Sequence, residues 1–390
     1  VRIFILGAGA TGGYLARLLI RQRHEVWCGD RDPLRMRRFL DPDIRCEPAN
    51  ARNLWSIVRA ARGAHLLINA APATFNETVL RAALRLRAHY LDMAANLRRH
   101  PFQPEALRYD ARFQNKNRAA LICAGVAPGL TNLLVARSAD WLDSIEEVRI
   151  RLYENVDSDT PVSTWSAEIA FDEAVSRPTV YRQGHFTLAK RFAEPEWFSF
   201  PAPVGRSRVV LAAQDEAATL PRFLAIKDLD VKIGGNEFDR LRRWHRQGKL
   251  RPSAGRSRER FPATPSPRQV AKLMRRGLLG NARFAAAVVV RGMRKSQPTE
   301  HRWDCAFPTL HQLRLEGLTV TPIAYSTAHC AALFVKHLPR DLPGVRPPEA
   351  LPREVRVAVL REVQARGLRI AFKARPWRRP EGDNDSEEAP

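Results

Sequence analysis

Nowhere in the 390 residues is there a run of eighteen or more uncharged apolar residues, so no membrane span is expected. The opening lacks the charged region and apolar stretch of a signal peptide and is instead a short strand-like run, so no leader is expected either. Cysteine is scarce: Cys28, Cys46, Cys123, Cys305 and Cys330 are odd in number, scattered, and form no CxxC. That argues against a disulfide framework and a thiolate metal site, and for a reducing, cytoplasmic setting. There is no internal repeat. Acids are in deficit, 41 against 64 basic residues, giving a net charge of +23. All but nine of those basic residues are arginine.

Such a surface attracts anions, whether nucleotide, carboxylate or nucleic acid. The densest basic stretch, 240 to 260, carries a single aromatic, Trp244. It reads as a solvated loop. A nucleic-acid module would interleave aromatics with the charge, so no specific nucleic-acid partner and no membrane partner are expected, only salt-sensitive contact with polyanions.

What is present begins at residue 1. Val1 to Leu6 is an apolar run suited to a buried parallel strand, and it breaks into Gly7-Ala8-Gly9-Ala10-Thr11-Gly12 before an amphipathic helical stretch. That is strand, tight turn, helix. In a dinucleotide-binding turn Gly7 permits the bend, Gly9 lets a pyrophosphate approach, and Gly12 lets helix and strand lie close. A second strand, Glu25 to Gly29, ends at Asp30, eighteen residues beyond Gly12. A ribose-binding carboxylate belongs there. Asp30 favours NAD, whereas Arg31 beside it is able to hold the extra phosphate of NADP, so NAD is expected with NADP as the alternative.

Strand and helix alternate for about 135 residues, which calls for a doubly wound parallel sheet. The strand Leu66 to Ala70 ends in small residues and Pro72, Thr74 and Glu77 have capping-box spacing for the next helix, and a further strand ends at Asp92. "ALICAGVAPGLTNLLVARSADWL" reads as strand, glycine–proline loop and helix. From about Ile145 strand-like runs predominate, separated by polar and proline-rich segments. The expected fold is α/β: a Rossmann doubly wound parallel sheet with an inserted α+β substrate domain holding a mostly antiparallel sheet. The divisions are 1–130 for the Rossmann domain, 131–320 for the substrate and dimerisation domain, 321–375 for a helical segment returning to the first domain, and 376–390 for a disordered tail. The Pro, Ser and Arg-rich piece from Arg251 to Pro267 reads as a mobile loop.

With these segments placed, the chain resembles the saccharopine dehydrogenase-like oxidoreductases, in particular the branch of lysine 6-dehydrogenase and carboxynorspermidine dehydrogenase. "GAGATGG", "INAAPATFNETVLRAALRLRAHYLDMA" and "CAGVAPGLTNLLVA" carry the resemblance, and "DEAATLPRFL", "AYSTAHCAA" and "GVRPPEALP" follow in the family's order. The resemblance implies hydride transfer between a nicotinamide and the carbon of an amine or amino acid, through an imine; a Rossmann oxidoreductase of this size is commonly a dimer, so a homodimer is expected. It places the dinucleotide against Gly7, Gly9, Ala10, Thr11, Gly12 and Asp30, and its nicotinamide side against Asn69, Ala70, Ala71 and Pro72. Asp92 and the loop from Gly125 through Pro128 and Gly129 to Asn132 would flank the reacting carbon. One departure matters: many members carry an acid where this chain has Ala127, so a mechanism resting on that carboxylate does not apply here.

The chemistry needs a group to manage the amine proton and a cation to clamp a substrate carboxylate. Asp92 suits the first and reads equally as a loop acid. Thr131 and Asn132, opening a helix, suit a carboxylate and serve equally as plain caps. Cys123 reads as core packing. His89 and His329 read as core or surface histidines, and Trp165 with Glu168 as core packing beside a surface acid, with substrate contact as the alternative for each. No arginine stands out as the clamp. Two other functions compete with the oxidoreductase: a catalytically silent NAD(P)-binding sensor or assembly protein, and a polyanion-binding protein with a vestigial Rossmann fold.

Overall fold

The computed structural model describes residues 1–160, 162–163, 167–249 and 264–378. In its first part β1 (Arg2–Leu6), α1 (Ala10–Arg21), β2 (Glu25–Asp30), α2 (Pro33–Arg37), β3 (Cys46–Pro48), α3 (Leu54–Ala60), β4 (Leu66–Asn69), α4 (Asn76–Leu86), β5 (His89–Asp92), α5 (Asp110–Asn115), β6 (Ala119–Leu121) and α6 (Leu130–Ala139) alternate. The second part holds β7 (Ser144–Ser158), α7 (Ala167–Val175), β8 (Thr179–Arg182), β9 (His185–Leu188), β10 (Glu196–Ser199), β11 (Arg206–Leu211), α8 (Glu216–Phe223), β12 (Ile226–Gly234), α9 (Asn236–Arg246), α10 (Pro267–Arg275), β13 (Leu279–Arg294) and β14 (Gln297–Ala306). The chain ends through α11 (Leu310–Leu315), α12 (Pro322–Lys336), β15 (Gly344–Arg346), α13 (Arg353–Ala365) and β16 (Arg369–Pro376).

The first sheet has the order β15-β6-β5-β4-β1-β2-β3 with every pair parallel. Its strands are apolar on both faces because helices cover both. Ile3, Ile5, Leu66 and Ile68 pack with Leu15 and Leu19 of α1 and Ala328 of α12. Phe4, Leu6 and Leu67 point the other way, onto Ile57 of α3 and Val79, Leu80 and Ala83 of α4. Two-residue alternation thus assigns each side chain to a layer. The second sheet runs β10-β11-β12-β7-β13-β14-β16, with β8 joined to β12 and β9. It is antiparallel except where β12 meets β7. Among the described residues no helix is long and apolar enough to cross a membrane.

Several expectations need correction. The segment 321–375 is not helical throughout: Arg369–Pro376 pairs antiparallel with β14, and Phe372 stands opposite Trp303. Ile370, Phe372 and Ala374 alternate there with Arg369, Ala371, Lys373 and Arg375, a period of two that the preceding helical run obscures. Pro376, taken as the start of the tail, ends that strand, and the N–H of Trp377 bonds the carbonyl of Pro298 at 3.0 Å; residues 379–390 lie outside the described residues. Thr74 is no cap. It sits in a 3-10 turn, Ala73–Phe75, and α4 starts at Asn76. Arg240 to Arg246 is helix, not loop, with Arg240 and Arg242 paired to Glu237 and Asp239 one turn earlier. Of the expected mobile loop, 251–263 lies outside the described residues, and Ser266 instead caps α10, which begins at Pro267.

Candidate active site

The glycine turn is built by close approach. Gly7 has φ of +93°, and a Cβ there would stand 2.5 Å from the N of Ala71; one at Gly12 would stand 2.0 Å from the O of Gly7. Neither position admits a side chain. At Gly9 the same atom would meet nothing within 4 Å, so this glycine borders open space. Helix α1 starts there without a side-chain cap, leaving its first N–H groups for a ligand. Asp30, ending β2, accepts from the N–H of Ala8 at 3.3 Å and of Asp32 at 3.2 Å, and Arg31 beside it is exposed. An open cradle with donors at its rim and a carboxylate at the neighbouring strand end fits a dinucleotide.

A cavity of about 720 Å³ opens where β4 and β5 end. Thr11, Asn69, Ala70, Ala71 and Pro72 form its cofactor-side wall, and Val126, Ala127 and Pro128 continue it. Opposite stand Leu152 and Glu154 of β7, Phe171 and Glu173 of α7, Phe284 of β13, and the segment Ala213–Asp215. The mouth is held by an amide chain: Asn69 donates to Asn76 at 2.6 Å and Asn76 to the carbonyl of Ala94 at 2.8 Å. These bonds tie the end of β4 to the loop after β5.

Asp92 is buried at the strand end. Its Oδ1 accepts from the N–H of Cys123 at 2.8 Å and its Oδ2 from the hydroxyl of Tyr90 at 2.9 Å. Tyr90 and Asp92 share a strand face, so the pairing follows from their spacing. Burial pushes this carboxyl up to about 7, and the charge of Asp215 adds to the rise. Asp215 itself is pushed up to about 7 by burial. Its Oδ2 accepts from the N–H of Ala95 at 2.7 Å, and no partner of its Oδ1 is present among the described residues. Glu173 is also raised by burial and accepts from Gln214 at 2.6 Å.

Three arginines face this acid-rich space. Arg98 is paired with Asp172, and Arg177 donates to the carbonyls of Leu188 and Ala189. Arg191 differs: its Nη1 lies 3.4 Å from His245, and its buried Nε has no partner among the described residues. The sequence did not distinguish Arg191, Glu173 or Asn76. Asp215 opens the family-like segment "DEAATLPRFL", a signal that was available.

Other candidates lie elsewhere. Thr131 and Asn132 are fully buried behind the cavity rather than in it. Thr131 donates to Glu216 at 2.8 Å, while Asn132 donates to Glu349 at 3.0 Å and to Thr219 at 3.1 Å. The carboxamide oxygen of Asn132 also accepts from the N–H of Gly129 at 2.9 Å. These residues knit α6 to α8 and to the segment after β15, which corrects their assignment as substrate contacts. Gly125 and Gly129 shape the same loop by mutual approach and do not line the cavity. His89 sits at the opposite end of β5, accepting from the N–H of Ala119. His329 packs against Tyr325 with ring centres 4.3 Å apart. Cys123 is buried in the layer with α3 and α4. Trp165 and the side chain of Glu168 lie outside the described residues.

Residues 3–121 match the family model described as the saccharopine dehydrogenase NADP binding domain. Among solved structures, the apo histidine-tagged saccharopine dehydrogenase (L-Glu forming) of Saccharomyces cerevisiae superposes with a TM-score of 0.71 at 11% identity, over 96% of this chain and 99% of that one. That likeness is one of fold. A C. glutamicum DAP dehydrogenase in complex with DAP matches at a TM-score of 0.47 and 12% identity, over 94% of this chain and 99% of its own.

Proposed function

We propose that the chain, whose residues 3–121 match the saccharopine dehydrogenase NADP binding domain, is an NAD(P)-dependent oxidoreductase that acts on the CH–NH group of an amino acid or polyamine-like amine. One observation carries this reading. The cavity that continues from the nicotinamide side combines buried carboxyls, Asp92, Asp215 and Glu173, with one cation, Arg191, whose Nε has no partner among the described residues. Carboxyls complement an ammonium and a guanidinium complements a carboxylate.

A bound nicotinamide supplies the hydride acceptor, or in reverse the donor. The rest falls to side chains. An ammonium must lose a proton before its carbon can release hydride, and Asp92 and Asp215, at about 7, exchange a proton readily near neutral pH. Asp215 lines the cavity, has no partner for Oδ1 among the described residues, and is the better placed to touch the amine, with Asp92 as its neighbour in charge. Arg191 holds the substrate carboxylate, and Glu173, steadied by Gln214, accepts from a more remote amine. Val126, Pro128, Leu152, Phe171 and Phe284 keep water from the imine.

The test is titration with oxidised and reduced NAD and NADP, followed by nicotinamide absorbance assays on α-amino acids, diamines, carboxylated polyamines and hydroxy acids. Turnover confined to amines is expected. Turnover on hydroxy acids instead, or dinucleotide binding no better than that of an unrelated polyanion, overturns the reading.

A further inference from the structure

The outer face formed by α3 and by α4 beyond its first residue, Asn76, which lines the cavity, is unusually one-signed. Between Pro48 and Leu91 the only acid is Glu77, against Arg52, Arg59, Arg62, Arg81, Arg85 and Arg87. All six arginines are exposed. Elsewhere exposed arginines meet a carboxylate, as Arg45 meets Glu47 and Arg375 meets Glu300. Glu77 offers little relief here, because it accepts from Tyr109 at 2.7 Å and faces Arg108.

The arrangement is linear. Trp55, Arg59 and Arg62 fall on one face of α3 and its continuation, and Arg81 and Arg85 are one turn apart on α4. The guanidinium of Arg85 lies 4.5 Å from the ring centre of Trp55, which joins the two rows into one stripe. Trp55 is nevertheless 55% exposed, an unusual surface for a tryptophan. Helical rise sets Arg81 and Arg85 roughly 6 Å apart along the axis, on the scale of successive phosphates in an extended strand.

We propose that this stripe binds single-stranded nucleic acid, sequence-independently, with the arginines on phosphates and a base stacked at Trp55. Cations tracking a backbone beside one open aromatic ring are what such binding needs. An anionic membrane is the poorer fit: Trp55 is the only large apolar side chain exposed on these two helices, so there is no face to insert.

The experiment measures binding of a labelled oligothymidylate to the full chain across a salt series. Two sets are compared: Arg59→Gln, Arg62→Gln, Arg81→Gln and Arg85→Gln together, and an equal loss of charge at exposed Arg268, Arg275, Arg276 and Arg361. Dinucleotide affinity serves as the fold check. The stripe variant is expected to bind at least tenfold more weakly and to flatten the salt slope by about 0.7 for each phosphate contact removed, while the second set changes little. Trp55→Ala is expected to weaken binding with the slope unchanged. Equal losses from both sets, no loss from either, or preference for anionic phospholipid vesicles over the oligonucleotide overturns the proposal.

Discussion

The Oδ2 of Asp215 accepts a hydrogen bond at 2.7 Å from the backbone N–H of Ala95, three residues past Asp92. One bond therefore brings a carboxyl from the second part of the chain to the strand end that carries Asp92. The charge of Asp215 adds to the rise of Asp92, while burial raises Asp215 itself, so both carboxyls exchange a proton near neutral pH. Asp215→Asn and Asp92→Asn are each expected to lower kcat by about 10² or more while dinucleotide affinity stays within a few-fold. The rate of amine oxidation in the wild type should rise with pH through about 7, where these carboxyls lose their protons. A variant of either residue with unchanged kcat and an unchanged pH profile removes it from the chemistry.

The contrast between Gly9 and Gly12 separates ligand from fold. A Cβ at Gly9 meets no atom of the described residues within 4 Å, so Gly9→Val should leave thermal stability near wild type while weakening dinucleotide binding at least tenfold, about 1.4 kcal/mol. Gly12→Ala drives a Cβ onto the carbonyl of Gly7 and should cost about 1–3 kcal/mol of stability. Calorimetry on the two proteins reads both effects. Comparable melting losses from both would show that the space beside Gly9 is not the cofactor's.

Strand ends, glycine turn and the two-layer packing were legible in the sequence because each rests on local pattern: apolar runs, glycine spacing, a carboxylate eighteen residues on. The placement of Asp92 at a strand end was legible for the same reason. The opposite wall was not. Asp215 meets Ala95 across 120 residues, and what distinguishes Arg191 among so many arginines is its place on the cavity wall with an Nε that has no partner among the described residues, a property of the fold rather than of the string. Thr131 and Asn132 misled for the converse reason: their place at a helix start was read correctly, and only Glu216 and Glu349, distant in sequence, reveal what they bond.

Cofactor choice turns on Asp30. Both of its carboxylate oxygens are turned to backbone N–H groups at the glycine turn and the following loop, so it is held where a ribose hydroxyl would reach it. NAD should be preferred over NADP by about tenfold or more. Asp30→Asn keeps an acceptor for Ala8 but removes the charge that repels a phosphate, and with Arg31 present it should shift preference toward NADP. Equal affinities for NAD and NADP in both proteins would show that the adenosine ribose lies elsewhere.

Arg191 is predicted to select for a carboxylated substrate. Losing a charged hydrogen-bond donor costs about 1.5–3 kcal/mol, so Arg191→Ala should raise KM some tenfold or more for the carboxylated amine and scarcely affect a decarboxylated analogue. Arg191→Lys should recover only part of the loss, because an ammonium lacks the planar fork. Steady-state kinetics on the substrate pair decide it: an equal rise in KM for both analogues would mean that the guanidinium supports the wall without touching a carboxylate.

The knot behind the cavity makes stability depend on pH. Burial pushes Glu216 and Glu349 up to about 7 from an ordinary value of 4.5, so between those limits the folded protein holds protons that the unfolded chain has released. Stability is then full below the lower value and declines as pH rises toward and through the upper one. The melting temperature should fall from about pH 5 to about pH 8. The hydroxyl of Thr131 and the amide of Asn132 both donate to these carboxyls, and a glutamine oxygen accepts the same bonds without ever charging. Glu216→Gln with Glu349→Gln should therefore flatten the decline and melt higher than the wild type at the alkaline end, with Asp92 and Asp215 supplying what slope remains. Differential scanning calorimetry across that range reads it directly, and parallel curves for the two proteins would mean that these carboxyls already ionise in the fold as they do in water.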